Sequence, residues 1–215
     1  MRQTILNQIQ AFFLNHVSFF HTEKEIQILL TNYFLNTNTY NNVFFEYYVG
    51  INLLQSNYPW HNDNKISVDI VLERDGIYYP IEIKYKTATQ VFPHFVFGTA
   101  TNVTLEDQKA QTVGRYSFWK DVKRIELLES TFPNVERGII MFVSNDISYR
   151  QAPRNFNNGG APFSIHQGRV VTAGSLLNWN DNLAVAEGRP GFTLNYDYNI
   201  NWTEMNIQNH FYILT

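Results

Sequence analysis

Three charged residues of this chain, Asp69, Glu82 and Lys84, have the types and the spacing for metal-assisted hydrolysis of a phosphodiester bond. Two carboxylates can hold Mg²⁺, which prefers oxygen ligands, and a backbone carbonyl of the same strand, that of Ile83, can serve as a third ligand. A metal held there would lower the pKa of a bound water molecule and neutralise charge on a phosphate. Lys84 can orient that water or stabilise the transition state.

The residues around this trio predict a β-hairpin. Residues 67–74 alternate apolar and polar side chains, residues 75–76 are an Asp-Gly turn signal, and residues 77–86 continue with aromatic and β-branched side chains. Because side chains alternate across a strand, Glu82 and Lys84 project from one face and the apolar residues between them from the other. The hairpin therefore brings the charged groups together at one end.

An ordinary explanation of the same pattern stays open. Glu and Lys two residues apart on a strand commonly form a weak ion pair on a solvated face. On that explanation the carboxylates are surface charges of a structural or interaction subunit.

The motif resembles the signature of the PD-(D/E)XK nuclease superfamily, the restriction-endonuclease-like fold. Asp69, Glu82 and Lys84 match the signature position by position, whereas Val68 stands where the family has Pro. The resemblance implies a metal-dependent nuclease with Mg²⁺, or Mn²⁺ in its place, held by Asp69, Glu82 and the carbonyl of Ile83. Lys84 would be the catalytic partner of the metal.

Many members of that superfamily complete the metal site with an acidic residue from the first core element. Glu46, within the aromatic segment 43–49, is the residue that the resemblance assigns to this role. A Glu between aromatic residues can also simply end a strand or helix in water, and the segment 43–54 suits a strand better than a helix.

A long amphipathic helix is predicted after the hairpin, over residues 105–128. Thr104 and Asp107 have the spacing of a capping box, and Gln108, Gln111 and Arg115 recur at helical intervals on one stripe. The segment is similar to the helix that follows the Lys in a branch of the superfamily, where Gln and Arg or Tyr line the cleft. The candidate substrate-binding residues are Lys86, Gln111 and Arg115.

Composition restricts the class of protein. The chain has 215 residues, of which 44% are hydrophobic and none is Cys, so it can bury a core but has no disulfide or thiolate site. The net charge is −3, yet the window 84–124 holds seven Lys or Arg against three Asp or Glu, a modest basic footprint. The six histidines, at positions 16, 21, 61, 94, 166 and 210, show no pair at a zinc-binding spacing.

The elements predict an α/β fold, a restriction-endonuclease-like mixed central β-sheet flanked by helices on both sides. We interpret residues 1–215 as one domain with N-terminal helices in 1–40, a catalytic core in 43–145, and strands and loops in 146–215. The first helix is expected over 3–20, and a second follows a capping box at Thr22. The apolar run 137–144 is typical of a central buried strand.

These inferences favour a metal-dependent nuclease acting on nucleic acid, DNA rather than RNA. No run is long enough for a membrane span, and the absence of Cys does not indicate an oxidising compartment, so we expect a cytoplasmic protein. A homodimer would suit cleavage of both strands of a duplex. The alternative function is a non-catalytic nucleic-acid-binding or protein-interaction module on the same fold.

Overall fold

A six-stranded mixed β-sheet forms the centre of the protein in a computed structural model that describes residues 1–54, 58–60, 63, 65–157, 159–181 and 186–215. The sheet order is β1-β2-β3-β6-β12-β11. Its strands are β1 (Asn42–Val49), β2 (Ile66–Arg74), β3 (Ile77–Lys86), β6 (Ile139–Ser144), β11 (Thr203–Glu204) and β12 (Phe211–Leu214). All neighbours pair antiparallel except β3 and β6, which are parallel.

The predicted hairpin is confirmed. Strands β2 and β3 pair from Ile70–Ile81 to Arg74–Ile77. The turn residues Asp75 and Gly76 both have positive φ, 54° and 79°, which is the backbone that a two-residue hairpin of matching twist requires. Strand β6 lies in the middle of the sheet with all six residues buried, as the unbroken apolar run predicted.

Helices cover both faces of the sheet, which confirms the predicted layered architecture at this coarse level. Helices α1 (Arg2–Asn15) and α2 (Glu23–Asn36) pack on one face, where Ile81, Ile83 and Met141 join their apolar side chains. Helix α3 (Gln111–Thr131) packs on the other face against Ile140 and Phe142. Since side chains alternate along β3, Glu82 and Lys84 face α3.

Two boundaries of the helices differ from the sequence prediction. The first helix ends at Asn15 rather than at 20, because His16 adopts an extended backbone and the rings that follow fold back against the helix. The strand predicted within 43–54 is confirmed for β1, and a short 3₁₀ helix, Ile51–Leu53, follows it.

The predicted helix start at residue 105 is wrong. Residues before α3 form a second hairpin of β4 (Gln90–Val96) and β5 (Thr99–Leu105), whose turn residues have positive φ. Thr99, Thr101 and Val103 place a β-branched side chain at every second position of β5, which favours a strand over the capping box predicted from Thr104. Helix α3 instead begins after Ala110, which is in the left-handed region and provides no side-chain cap.

The C-terminal segment has little regular structure. Its remaining strands form two two-stranded sheets, in which β7 (Val170–Val171) pairs with β10 (Tyr198–Asn199) and β8 (Leu176–Leu177) pairs with β9 (Phe192–Thr193). The buried carboxylate of Glu126 on α3 anchors this segment, because it accepts hydrogen bonds from the Asn195 N–H at 2.8 Å and the Tyr198 hydroxyl at 2.9 Å. Within the described ranges, none of the helices has the length and apolar character to cross a bilayer.

Candidate active site

The strands β2 and β3 separate just beyond the Ile70–Ile81 pair, and Asp69 lies in the opening. One carboxylate oxygen of Asp69, Oδ2, accepts a hydrogen bond of 2.6 Å from the backbone N–H of Ile83. Because the N–H and C=O of one strand residue point to the same side, the carbonyl of Ile83 faces the same opening. Asp69 and the Ile83 carbonyl are therefore neighbours, as the sequence led us to expect.

A second carboxylate, that of Glu23, reaches the same exposed edge of β3. Glu23 Oε2 accepts a hydrogen bond of 2.8 Å from the Tyr85 N–H. Glu23 is the first residue of α2, which begins at the predicted N-cap: Thr22 Oγ1 accepts from the Glu25 N–H at 3.1 Å. Sequence reasoning placed this helix start correctly but did not connect Glu23 with the β3 residues, which follow it by about sixty positions.

Helix α3 supplies two more charged groups. Arg124 Nη2 lies 2.7 Å from Glu82 Oε1 and 2.7 Å from Asp121 Oδ1, while Lys84 Nζ lies 3.0 Å from Asp121 Oδ2. Sequence reasoning missed both α3 residues. The available signal was that Asp121 and Arg124, three residues apart, fall in a helix whose buried side chains are mostly apolar.

We call these six side chains the charged cluster. Its carboxylates are those of Glu23, Asp69, Glu82 and Asp121, and its cations are those of Lys84 and Arg124. With all six ionised, the carboxylates exceed the cations by two negative charges. A divalent cation would balance that excess.

Several groups of the cluster are withdrawn from water without full hydrogen bonding. Glu82 is 1% exposed. Within the described residues, its Oε1 and Asp121 Oδ2 have no hydrogen-bond partner, although Arg124 Nη2 lies 2.7 Å from the first and Lys84 Nζ lies 3.0 Å from the second. Charge is therefore paired here while two buried carboxylate oxygens keep unused acceptor capacity.

The pKa values of Asp69, Glu82 and Lys84 are shifted by burial and by the charges around them. Burial raises the pKa of Asp69 to about 6, although Lys84 and the Ile83 N–H act in the opposite direction. Burial also raises the pKa of Glu82 well above its usual range, against the effect of Arg124. For Lys84, burial lowers the pKa but the surrounding carboxylates outweigh it, so the net shift is upward and the amine stays charged.

The other predicted site residues lie outside the charged cluster. Glu46 has a φ of 52°, and its carboxylate, 42% exposed, contacts Lys24 and accepts from Ser67 Oγ at 3.3 Å. Lys86 ends β3 on the face of Glu82 and Lys84. At the start of α3, Gln111 Nε2 donates to Asp146 Oδ2 at 3.2 Å and Arg115 Nη2 donates to the Ser148 carbonyl at 2.8 Å.

Gln108, predicted on the same helical stripe as Gln111 and Arg115, is not in a helix. It lies before α3, and its backbone N–H donates to the carbonyl of Thr87 at 2.8 Å. The stripe of polar residues is therefore two residues long rather than three.

The residues fit a hard metal ion by donor chemistry. Asp69, Glu82 and the Ile83 carbonyl offer only oxygen, the donor atom that Mg²⁺ and Mn²⁺ prefer. Among the described residues, no three side chains of His, Cys, Asp or Glu converge as a metal-binding group. The set expected from the sequence has two side-chain ligands and one main-chain ligand.

Of the six histidines considered in the sequence for a zinc site, His61 lies outside the described residues.

Comparisons with protein-family models, with curated proteins and with solved structures gave no match. Two carboxylates, a carbonyl and an ammonium group at the diverging end of a hairpin can bind a cation and hold a positive charge beside it.

Proposed function

We propose that this chain is a metal-dependent nuclease that hydrolyses phosphodiester bonds of nucleic acid, with DNA preferred to RNA. The observation that carries the proposal is that Asp69, Glu82 and Lys84 lie within electrostatic reach of one another at the opening between β2 and β3, in a cluster of four carboxylates and two cations. The layered α/β architecture supports it, since a restriction-endonuclease-like fold is one arrangement of such layers.

The metal would be Mg²⁺ or Mn²⁺, held by Asp69, Glu82 and the Ile83 carbonyl. When bound, it would lower the pKa of a water molecule and neutralise charge on the scissile phosphate. Glu82 uses Oε1 for its contact with Arg124, so Oε2 is the oxygen that it would offer. Asp69 keeps its orientation through the Ile83 N–H.

Lys84 holds positive charge beside the reacting phosphate in this proposal. Its raised pKa keeps the ammonium group protonated at neutral pH, so it acts as an electrostatic stabiliser and orients water through N–H donors rather than as a base. Asp121 positions the amine at 3.0 Å, and Arg124 positions both Asp121 and Glu82.

A second function is favoured by the burial of Glu82. At 1% exposure and with Arg124 against it, Glu82 also fits a structural ion network that holds α3 on the sheet. A chain with that network alone would be a non-catalytic nucleic-acid-binding or protein-interaction module.

Cleavage assays separate the two functions. The purified chain is incubated with linear duplex DNA, nicked DNA, single-stranded DNA and RNA, with Mg²⁺ or Mn²⁺ and with a chelator. We expect metal-dependent products from the wild type and a loss of about 10²–10³-fold in rate for Lys84→Ala, the range seen when one transition-state stabiliser is removed.

Lys24→Ala is the matched control, because it removes a Lys–carboxylate ion pair, with Glu46, outside the charged cluster. It should cleave at the wild-type rate. No metal-dependent product from any of the four substrates would reject the nuclease and leave the non-catalytic module.

A further inference from the structure

Two adjacent cavities lie between the start of α3 and the C-terminal segment. The first, of about 340 Å³, is lined by Thr112, Arg115, Ser148 and Arg154 among others. The second, of about 490 Å³, is lined by His166 and Arg169 among others. Ala161 lines both cavities, so they are neighbours on one surface.

The basic side chains of these cavities lack acidic partners. Within the described ranges, no carboxylate lies within ion-pair distance of Arg115, Arg154 or Arg169. Asp146 acts electrostatically on Arg115, but its two carboxylate oxygens already accept from the Ser148 N–H and from Gln111. In a protein with net charge −3, this is an uncompensated local excess of positive charge.

The first cavity also has unused hydrogen-bonding capacity. Arg115 Nε and Ser148 Oγ are buried atoms without a hydrogen-bond partner among the described residues. Thr112 is the second residue of α3, a helix whose N-terminus has no side-chain cap. The first N–H groups of a helix and its dipole favour an anion there.

The second cavity holds a cation whose hydrogen bonds, within the described residues, all go to main-chain carbonyls. Arg169 donates to the carbonyls of Ser164 and Pro162 and lies over the Trp119 ring. Burial alone lowers its pKa to about 10, so the guanidinium stays charged at neutral pH. Burial lowers the pKa of His166, and the charges of Arg169 and Arg115 lower it further, so both guanidinium groups lie within electrostatic reach of His166.

We infer that these two cavities, which we call the basic cavities, bind phosphodiester groups of a polynucleotide. Guanidinium groups match phosphate oxygens in two-pronged hydrogen bonds, and the hydroxyls and helix N-terminus add neutral donors. The identity of the ligand as a polynucleotide rests on the proposed function.

Binding without cleavage tests the inference. A fluorescent mixed-sequence oligonucleotide, single-stranded or duplex, is titrated with protein in chelator over a series of chloride concentrations. We expect salt-dependent binding by the wild type. Arg154→Glu should weaken it about tenfold and reduce the salt slope by about one. Arg154 suits this test because no side-chain partner contacts it within the described residues.

Arg74→Glu is the control of equal charge change. Arg74 pairs with Asp75 at the turn between β2 and β3, the opposite end of the hairpin from the charged cluster. Its variant should bind the oligonucleotide within twofold of the wild type. Equal weakening by the two variants, no weakening by either, or no binding by the wild type would each overturn the inference.

Inorganic phosphate distinguishes a free anion from a polynucleotide. At matched ionic strength, phosphate should displace the oligonucleotide no better than chloride. If phosphate displaces it from the wild type but not from Arg154→Glu, the basic cavities take the free anion and the inference is wrong. The two proposals can fail separately. Binding that depends on Arg154, without cleavage in the presence of any metal, would reject only the nuclease. Cleavage by the wild type, with equal oligonucleotide binding by Arg154→Glu and Arg74→Glu, would reject only the role of the basic cavities.

Discussion

Glu82 Oε1 and Arg124 Nη2 are 2.7 Å apart, and this contact joins the middle of β3 to α3 at a point that is 1% exposed to water. A buried ion pair usually loses 3–5 kcal/mol when one partner is removed. Here the surroundings differ, because the charged cluster has two carboxylates more than it has balancing cations, and Arg124 also contacts Asp121.

We therefore expect Glu82→Gln to abolish cleavage while leaving stability nearly intact. The substitution removes a carboxylate whose pKa burial raises, and it keeps the side-chain shape. The rate should fall by more than about 100-fold and the free energy of unfolding should change by less than about 1 kcal/mol. Urea unfolding and a cleavage assay measure the two quantities. A loss of several kcal/mol with unchanged cleavage would mark Glu82 as structural.

Glu23 and Glu46 should respond differently to the same change. Glu23 holds the Tyr85 N–H at the edge of the charged cluster, so Glu23→Gln should lower the cleavage rate about 10- to 100-fold, the usual effect of a supporting residue. Glu46 contacts Lys24 and Ser67 at the surface, so Glu46→Gln should cleave within twofold of the wild type. If Glu46→Gln lowered the cleavage rate more than Glu23→Gln, Glu46 on β1 would be the acid that completes the site.

Divalent cations should stabilise the folded protein. A cation that balances the excess charge binds the native state, and at a free concentration ten times Kd it adds about 1.4 kcal/mol. Melting with Mg²⁺, with Mn²⁺ and with chelator measures the shift at constant ionic strength. Asp69→Asn should remove most of the metal-dependent shift, whereas Asp75→Asn, at the distant hairpin turn, should retain it. Equal shifts in the two variants would exclude Asp69 as a ligand.

His210 should make stability fall in mild acid. Burial lowers its pKa below the usual value near 6.5, and its ring contacts Tyr85 and the Gln208 carbonyl. Because the unfolded chain then binds the proton more readily than the folded chain, the contribution is complete above about pH 6.5 and is lost as pH falls through the folded-state pKa.

His210→Phe isolates this effect, since Tyr85 keeps its hydrogen bond to the Phe20 carbonyl. Urea unfolding from pH 7.5 to pH 5 should show a steeper loss of stability for the wild type than for the variant. Parallel curves would mean that the proton taken up on unfolding belongs to other groups.

Local patterns in the sequence were sufficient for the hairpin and the central strand. The Asp75-Gly76 turn and the alternation around it specify two paired strands, and the six apolar residues of β6 specify a strand buried on both faces. The start of α2 followed from Thr22, whose hydroxyl bonds to the chain three residues on. Each of these features depends on residues that are close together in the chain, so the sequence alone is enough to predict it.

The start of α3 shows where local reasoning failed. Thr104 and Asp107 have capping-box spacing, yet Thr104 pairs with Val91 in a hairpin. Strand pairing over seven residues outweighs one side-chain cap. The β-branched alternation of the same segment was the signal that favoured the strand.

The amino-acid sequence by itself determined the hairpin and the strand position of Asp69, Glu82 and Lys84, because alternation along a strand and a two-residue turn are local geometry. Only the tertiary structure decided what surrounds them. Asp121 and Arg124 arrive from α3, and Glu23 from a helix far earlier in the chain. Their convergence depends on how the two helical layers pack against the sheet, and no spacing within the sequence encodes that distance.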